Sequence, residues 1–187
     1  SIQHLRKYNP NDYIILTGHG HRPYKQTLDC CDMVFWENKC RKLNENGTVS
    51  GFPAQFYWVS QGIKHAKQLG FYRLLKTRTD CVIGKKDIIK ECDKILIDEK
   101  KPLLITQMTD MTKPRMGDCF MYGDIDILDK TWDYNNPVLC ETDGLENTGR
   151  HFSNNYNNNL SWKQLLRKLC AFRNVDWIQF MDLRWTF

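Results

Sequence analysis

No run of apolar residues in this chain approaches the roughly 20 needed to cross a bilayer as a helix. Its first residues lack the charged, apolar and small-residue pattern of a secretory signal. The sequence therefore predicts no transmembrane segment. None of its 8 cysteines stand as Cys-x-x-Cys, which removes the commonest zinc and redox spacings. A chain of 187 residues can bury a core without cross-links. Free thiols in a reducing, cytoplasmic compartment are expected, with Cys81 and Cys119 packing as small hydrophobes. Positive charge is not concentrated either. The 27 Lys and Arg exceed the 22 Asp and Glu by only 5, in short clusters such as Lys85-Lys86 and Lys100-Lys101. A nucleic-acid binder would carry a basic stripe, so no nucleic acid is expected. The charge balance does tolerate an anionic ligand such as a phosphate ester. No internal repeat or linker interrupts the chain, and residues 1–187 read as one domain. The chain opens at Ser1 rather than Met and reads as a processed or trimmed fragment.

What is present alternates between strand-like and helix-like patterns, which argues for an α/β fold. Ile2 to Tyr8 reads as a short helix before Pro10. "DYIILTGHG", Asp12 to Gly20, and "DMVFW", Asp32 to Trp36, read as strands. Phe56, Val59, Ile63 and Ala66 recur at helical spacing within Pro53 to Leu69, and Gly70 supplies a stop. "FYRLLKTRTD", Phe71 to Asp80, is a third strand, and Asp87 to Ile97 a helix. "PLLITQM" from Pro102 and "GDCFMYG" from Gly117 are further strands. Asp118 and Asp124 flank the last of these, and Asp124 reads as the cap of a helix through Trp132. Tyr134 to Asn159 is Asn-rich and loop-like, either surface chain or a lid. Trp162 to Phe172 reads as a basic amphipathic helix with a core stripe of Leu165, Leu166 and Leu169. The tail is a last strand or a packed extension.

One strand end carries chemistry. Open α/β sheets bind ligands at the carboxyl ends of their strands. Alternation places Lys76, Arg78 and Asp80 on one side if the strand persists that far. A carboxylate there can hold a divalent cation, and cation plus basic side chains can neutralise a diphosphate. Oxygen ligands favour magnesium or manganese over zinc. The same residues also suit a plain Arg78–Asp80 salt bridge, and both readings stand at this point.

The order of motifs resembles the WavE-like glycosyltransferases of polysaccharide synthesis. The resemblance rests on Tyr13 to Leu16, Gln55, Gly62 with Ala66, "LKTRTD" from Leu75 to Asp80, and "GDCFMYGDIDILDKTWD" to Asp133. It implies a Rossmann-like GT-A nucleotide-sugar-binding sandwich with a mostly parallel central sheet. It also implies transfer of a sugar from a nucleotide-diphosphate sugar donor to a glycan or glycoprotein acceptor, assisted by a divalent metal, Mn or Mg. Asp80 stands where the last acid of the family's Asp-x-Asp motif lies, with Arg78 in place of the first. Donor binding falls to Lys76, Arg78, Asp80 and Gln55. GT-A domains open with a strand that holds the base. Here a helix comes first, so that strand is expected upstream of Ser1, unless the helix reading is wrong.

An inverting transferase needs a base at the acceptor hydroxyl. Glu141, Asp143 and Glu146 in "CETDGLENTG" are the candidates, although such an acidic cluster also suits a solvated loop. His151 is a candidate second metal ligand beside Asp80. His19 and His21 in "GHGH" could touch phosphate or metal, or simply be exposed. The competing function is a non-catalytic nucleotide or nucleotide-sugar binding domain, which the missing acid at position 78 favours.

Overall fold

Alternating burial along the strands lays out the core. In β5 (Leu103–Ile105), Leu103 and Ile105 enter one apolar cluster and Leu104 the other. In β6 (Phe120–Asp124), Met121 faces the first cluster while Phe120 and Tyr122 face the second. In β7 (Cys170–Phe172), Cys170 and Ala171 divide the same way. This period of two is what a pleated strand buried on both faces produces. The structure, a computed structural model, describes residues 2–38, 51–105, 117–133, 152, 160–172 and 178–180.

The remaining elements cover these faces. α1 (Ile2–Tyr8), β1 (Ile15–His19), a single turn α2 (Lys25–Leu28) and β2 (Met33–Glu37) come first. α3 (Gly51–Gln68) leads to β3 (Arg73–Thr77), β4 (Cys81–Ile83) and α4 (Ile88–Glu99). α5 (Ile125–Thr131) follows β6, and α6 (Trp162–Leu169) runs into β7. A short β8 (Ile178–Phe180) pairs with β4. Phe56, Ile63 and Ala66 of α3, Leu128 of α5 and Leu165 and Leu166 of α6 close one face. Ile88, Cys92 and Leu96 of α4 close the other.

The fold is mixed α/β, as expected, but the central sheet is not mostly parallel. Its four described strands lie in the order β3-β6-β5-β7. β6 runs antiparallel to both neighbours, and only β5 and β7 pair in parallel. The cause is the crossover through α4, which leaves one strand's width between β3 and β5. The chain returns through that space as β6. Gly123 makes the fit possible: a Cβ there would lie 2.2 Å from the Pro102 carbonyl oxygen and 2.9 Å from Leu103 Cα. β1 and β2 form a separate parallel pair.

Side-chain caps start two helices, and the one at α5 is the cap the sequence predicts. Asp124 Oδ1 accepts from the Asp126 and Ile127 amides at 2.9 and 3.1 Å, the cap expected for α5. Ser161 and Gln164 form a reciprocal capping box on α6. At α4, Asp87 makes no side-chain cap. Buried Asn9 instead accepts from the Ile88 amide at 2.9 Å. The helix expected through Phe172 stops at Leu169, because Cys170–Phe172 is extended against β5. The strand expected to Asp80 stops at Thr77.

Gly123→Ala should destabilise the chain by about 1–3 kcal/mol through overpacking against backbone. Gly84→Ala, where an added Cβ meets nothing within 4 Å, should stay within about 0.5 kcal/mol. Urea unfolding of both variants checks the pair.

Candidate functional site

The antiparallel pairing of β3 with β6 assembles the charged cluster. Thr77 sits opposite Phe120 in register. Asp118, two residues before Phe120, therefore meets the chain leaving β3. Its carboxylate is the hub. Gln55 Nε2 donates to Asp118 Oδ2 at 2.9 Å, and an Arg78 terminal nitrogen donates to the same oxygen at 3.3 Å. Arg78 also forks onto Asp80, Nε to Oδ1 at 3.0 Å and a terminal nitrogen to Oδ2 at 2.6 Å. Lys76 Nζ donates to the Asp118 backbone carbonyl. The four residues expected to bind a donor thus converge, on an acid that the sequence marked only as flanking a strand.

They differ in what they present to solvent. Arg78 and Asp80 side chains are 42% and 30% exposed, and Asp118 only 5%. Lys76 is buried, its Nζ 4.4 Å from the ring centroid of fully buried Trp132. It braces the wall of the site from behind. Burial pushes the Lys76 ammonium down to about 8, against the opposing pull of Asp118. Burial works against ionisation of Asp118 too, but Lys76, Gln55 and Arg78 outweigh it and hold that carboxyl low. Arg78 is held more firmly cationic by its hydrogen bonds to Asp80.

Two thiols lie behind the acids. Cys81 and Cys119 are buried, as expected of small hydrophobes. Their mutual interaction draws the Cys81 thiol down and pushes the Cys119 thiol up. Cys119 Sγ donates to Asp118 Oδ1 at 3.4 Å. The six described cysteines are all free thiols.

For a divalent cation, the donor set offers Asp80 with both oxygens engaged by Arg78. Among the described residues, no three His, Cys, Asp or Glu side chains converge to hold a metal. The guanidinium sits between two carboxylates, Asp80 and Asp118, in the position a bridging cation would take. By themselves the described residues do not make a cation site. Glu141, Asp143, Glu146 and His151 lie outside the described residues. His19 ends β1 and stacks on Trp58 at 6.5 Å, and His21 is exposed.

Compared with protein-family models and with curated proteins, the chain matches none. No helix among the described residues is long and apolar enough to cross a membrane.

Lys76 gives the site a pH signature. Below about pH 8 its ammonium is charged in both folded and unfolded chains, and folding bears the cost of burying it. Between about 8 and the ordinary 10.5, the unfolded chain holds a proton that the folded one has released. Stability should therefore rise with pH across that window, by at most about 1.4 kcal/mol per unit. Lys76→Met should abolish the rise, measured by denaturant unfolding from pH 7 to 10.

Proposed function

We propose that the chain binds a nucleotide-diphosphate sugar at the carboxyl end of β3 and transfers its sugar to a glycan or glycoprotein acceptor, as a GT-A-type glycosyltransferase. The observation that carries this reading is Arg78. A half-exposed guanidinium at a strand's carboxyl end, steadied by Asp80 and Asp118, suits a diphosphate. Gln55, on the second turn of α3, adds an amide beside it.

In the transfer, the bond between the sugar's anomeric carbon and the diphosphate oxygen breaks. The nucleoside diphosphate leaves with the electron pair. The acceptor hydroxyl oxygen bonds to the anomeric carbon, and its proton passes to a base, for which Glu141, Asp143 and Glu146 are the candidates. Arg78 stabilises the charge that develops on the leaving diphosphate. Lys76 holds the Asp118 carbonyl in place and so keeps the Asp118–Arg78 pair aligned. Manganese or magnesium, if used, would supply further neutralisation at Asp80 with His151, and Asp80 would first have to release Arg78. The reading places the protein in the cytoplasm, where nucleotide sugars are substrates and thiols stay reduced.

The second reading, a non-catalytic nucleotide or nucleotide-sugar binding domain, draws on the closed Arg78–Asp80 fork. A carboxylate with both oxygens satisfied is a finished structural pair. Thermal shift with nucleoside diphosphate sugars, with and without manganese, separates the cases. The transferase reading expects stabilisation by one donor, its loss in Arg78→Met, and release of free nucleoside diphosphate when acceptor is added. Stabilisation without turnover supports the binding-domain reading. No shift with any donor contradicts both.

A further inference from the structure

β1 and β3 face each other without touching through their backbones. The Ile14 carbonyl accepts from Met33 N at 3.2 Å, and Gly20 N donates to the Glu37 carbonyl at 2.9 Å. Even-numbered residues of β1 therefore turn their backbone groups to β2, and Ile15 and Thr17 turn theirs away. On β3, the Tyr72 carbonyl accepts from Ile125 N at 3.0 Å. Residues 74 and 76 then face β6, while Arg73, Leu75 and Thr77 face the other way. Among the described residues, no backbone hydrogen bond joins β1 to β3. Between them lies a cavity of about 530 Å³, lined by Ile15, Thr17, Arg73, Leu75 and Thr77. Thr77 Oγ1 is buried with no partner.

Two unpaired strand edges border one mostly apolar cavity, with Ile15, Thr17, Leu75 and Thr77 half-buried, whereas edges of this kind are ordinarily paired or covered. The cavity's two faces match a sheet interior. Val59, Gly62 and Ile63 of α3 line one, and Leu5, Ile88 and Ile89 line the other. The flanking strands run in parallel. Their amino ends meet where Tyr13 and Phe71 lie 5.6 Å apart. A smaller cavity borders β1 from Ile14 to Thr17 and reaches the carboxyl end of β3 at Thr77 and Arg78. That smaller cavity is also lined by Ile2, so α1 begins at the carboxyl end and runs back.

We propose that this cavity is a strand-acceptor slot. It takes one extended apolar segment, joined to the amino end of α1 and hydrogen-bonded in parallel to β1 and β3 at once. The segment's edges would satisfy the backbone groups of Ile15, Thr17, Leu75 and Thr77. Its two faces would meet α3 and the α1–α4 side, so it requires a run rich in Val, Ile and Leu. Strand, α1 and β1 would then form the usual crossover unit for parallel strands. The turn between the new strand and α1 would lie beside Arg78. This proposal stands without the donor-binding reading, since it rests on backbone edges alone.

The test adds Val-Ile-Thr-Val-Ile-Gly-Ser-Asn ahead of Ser1 in the full chain. A control extension carries Pro at the second and fourth positions, which removes two amide donors. Amide hydrogen exchange and Tm are measured for the chain and both extensions. The proposal expects slower exchange by about tenfold or more at Ile15, Thr17, Leu75 and Thr77, together with a Tm rise of about 4 °C or more. It expects neither from the Pro extension. Protection on one strand alone, equal effects of both extensions, or no change would overturn it. So would full protection of these amides in the unextended chain, which would mean that β1 and β3 close on each other. Equivalent protection by decanoate, with no gain from the extension, would assign the cavity to a small apolar ligand instead.

Discussion

A buried ammonium sets the terms for the rest of this structure. Lys76, the last residue but one of β3, points into the apolar layer against Trp132, where a lone charge costs several kcal/mol. The charge is tolerable because β6 brings Asp118 beside it. The ammonium holds the Asp118 carbonyl, and Gln55 and Arg78 hold the carboxylate. Arg78 then reaches Asp80. One costly burial thus fixes a chain of polar contacts from the core to the surface at a strand's carboxyl end.

The sheet's mixed direction is what makes this possible. Had the space between β3 and β5 held a parallel strand, its amino end would lie far from Thr77, and no residue in Asp118's position would meet Arg78. The antiparallel return puts the start of β6 against the end of β3. A second network works on the opposite face. The Tyr122 hydroxyl donates to Asp93 Oδ1 at 2.6 Å and Arg73 pairs with the same carboxylate, tying α4 to the start of β3. β3 is therefore anchored at both ends by acids from other elements.

The sequence displayed much of this. The spacing of Phe56, Ile63 and Ala66 foretold α3, and the turn residues around "CFMY" foretold β6. Asp124 announced its own cap because capping is a local event. Strand direction was not legible, since alternation looks the same read either way. Asp118 was hidden for that reason: its role depends on which strand lies beside β6. The end of α6 was hidden because Leu165, Leu166 and Leu169 continue into Cys170 and Ala171, apolar in either geometry. Lys76 read as a donor-binding cation because alternation puts it on one side with Arg78 and Asp80. Only the packing of Trp132 shows it turned inward.

Lys76 and Asp118 depend on each other. A double-mutant cycle with Lys76→Met and Asp118→Asn, read by urea unfolding at pH 7, measures that dependence directly. The coupling should be about 1 kcal/mol or more, since Asp118→Asn removes the charge that offsets the buried ammonium and Lys76→Met removes the charge that helps hold the carboxyl low. Additivity within about 0.3–0.5 kcal/mol would mean that the two residues are held independently, and the polar chain from core to surface would not exist as described.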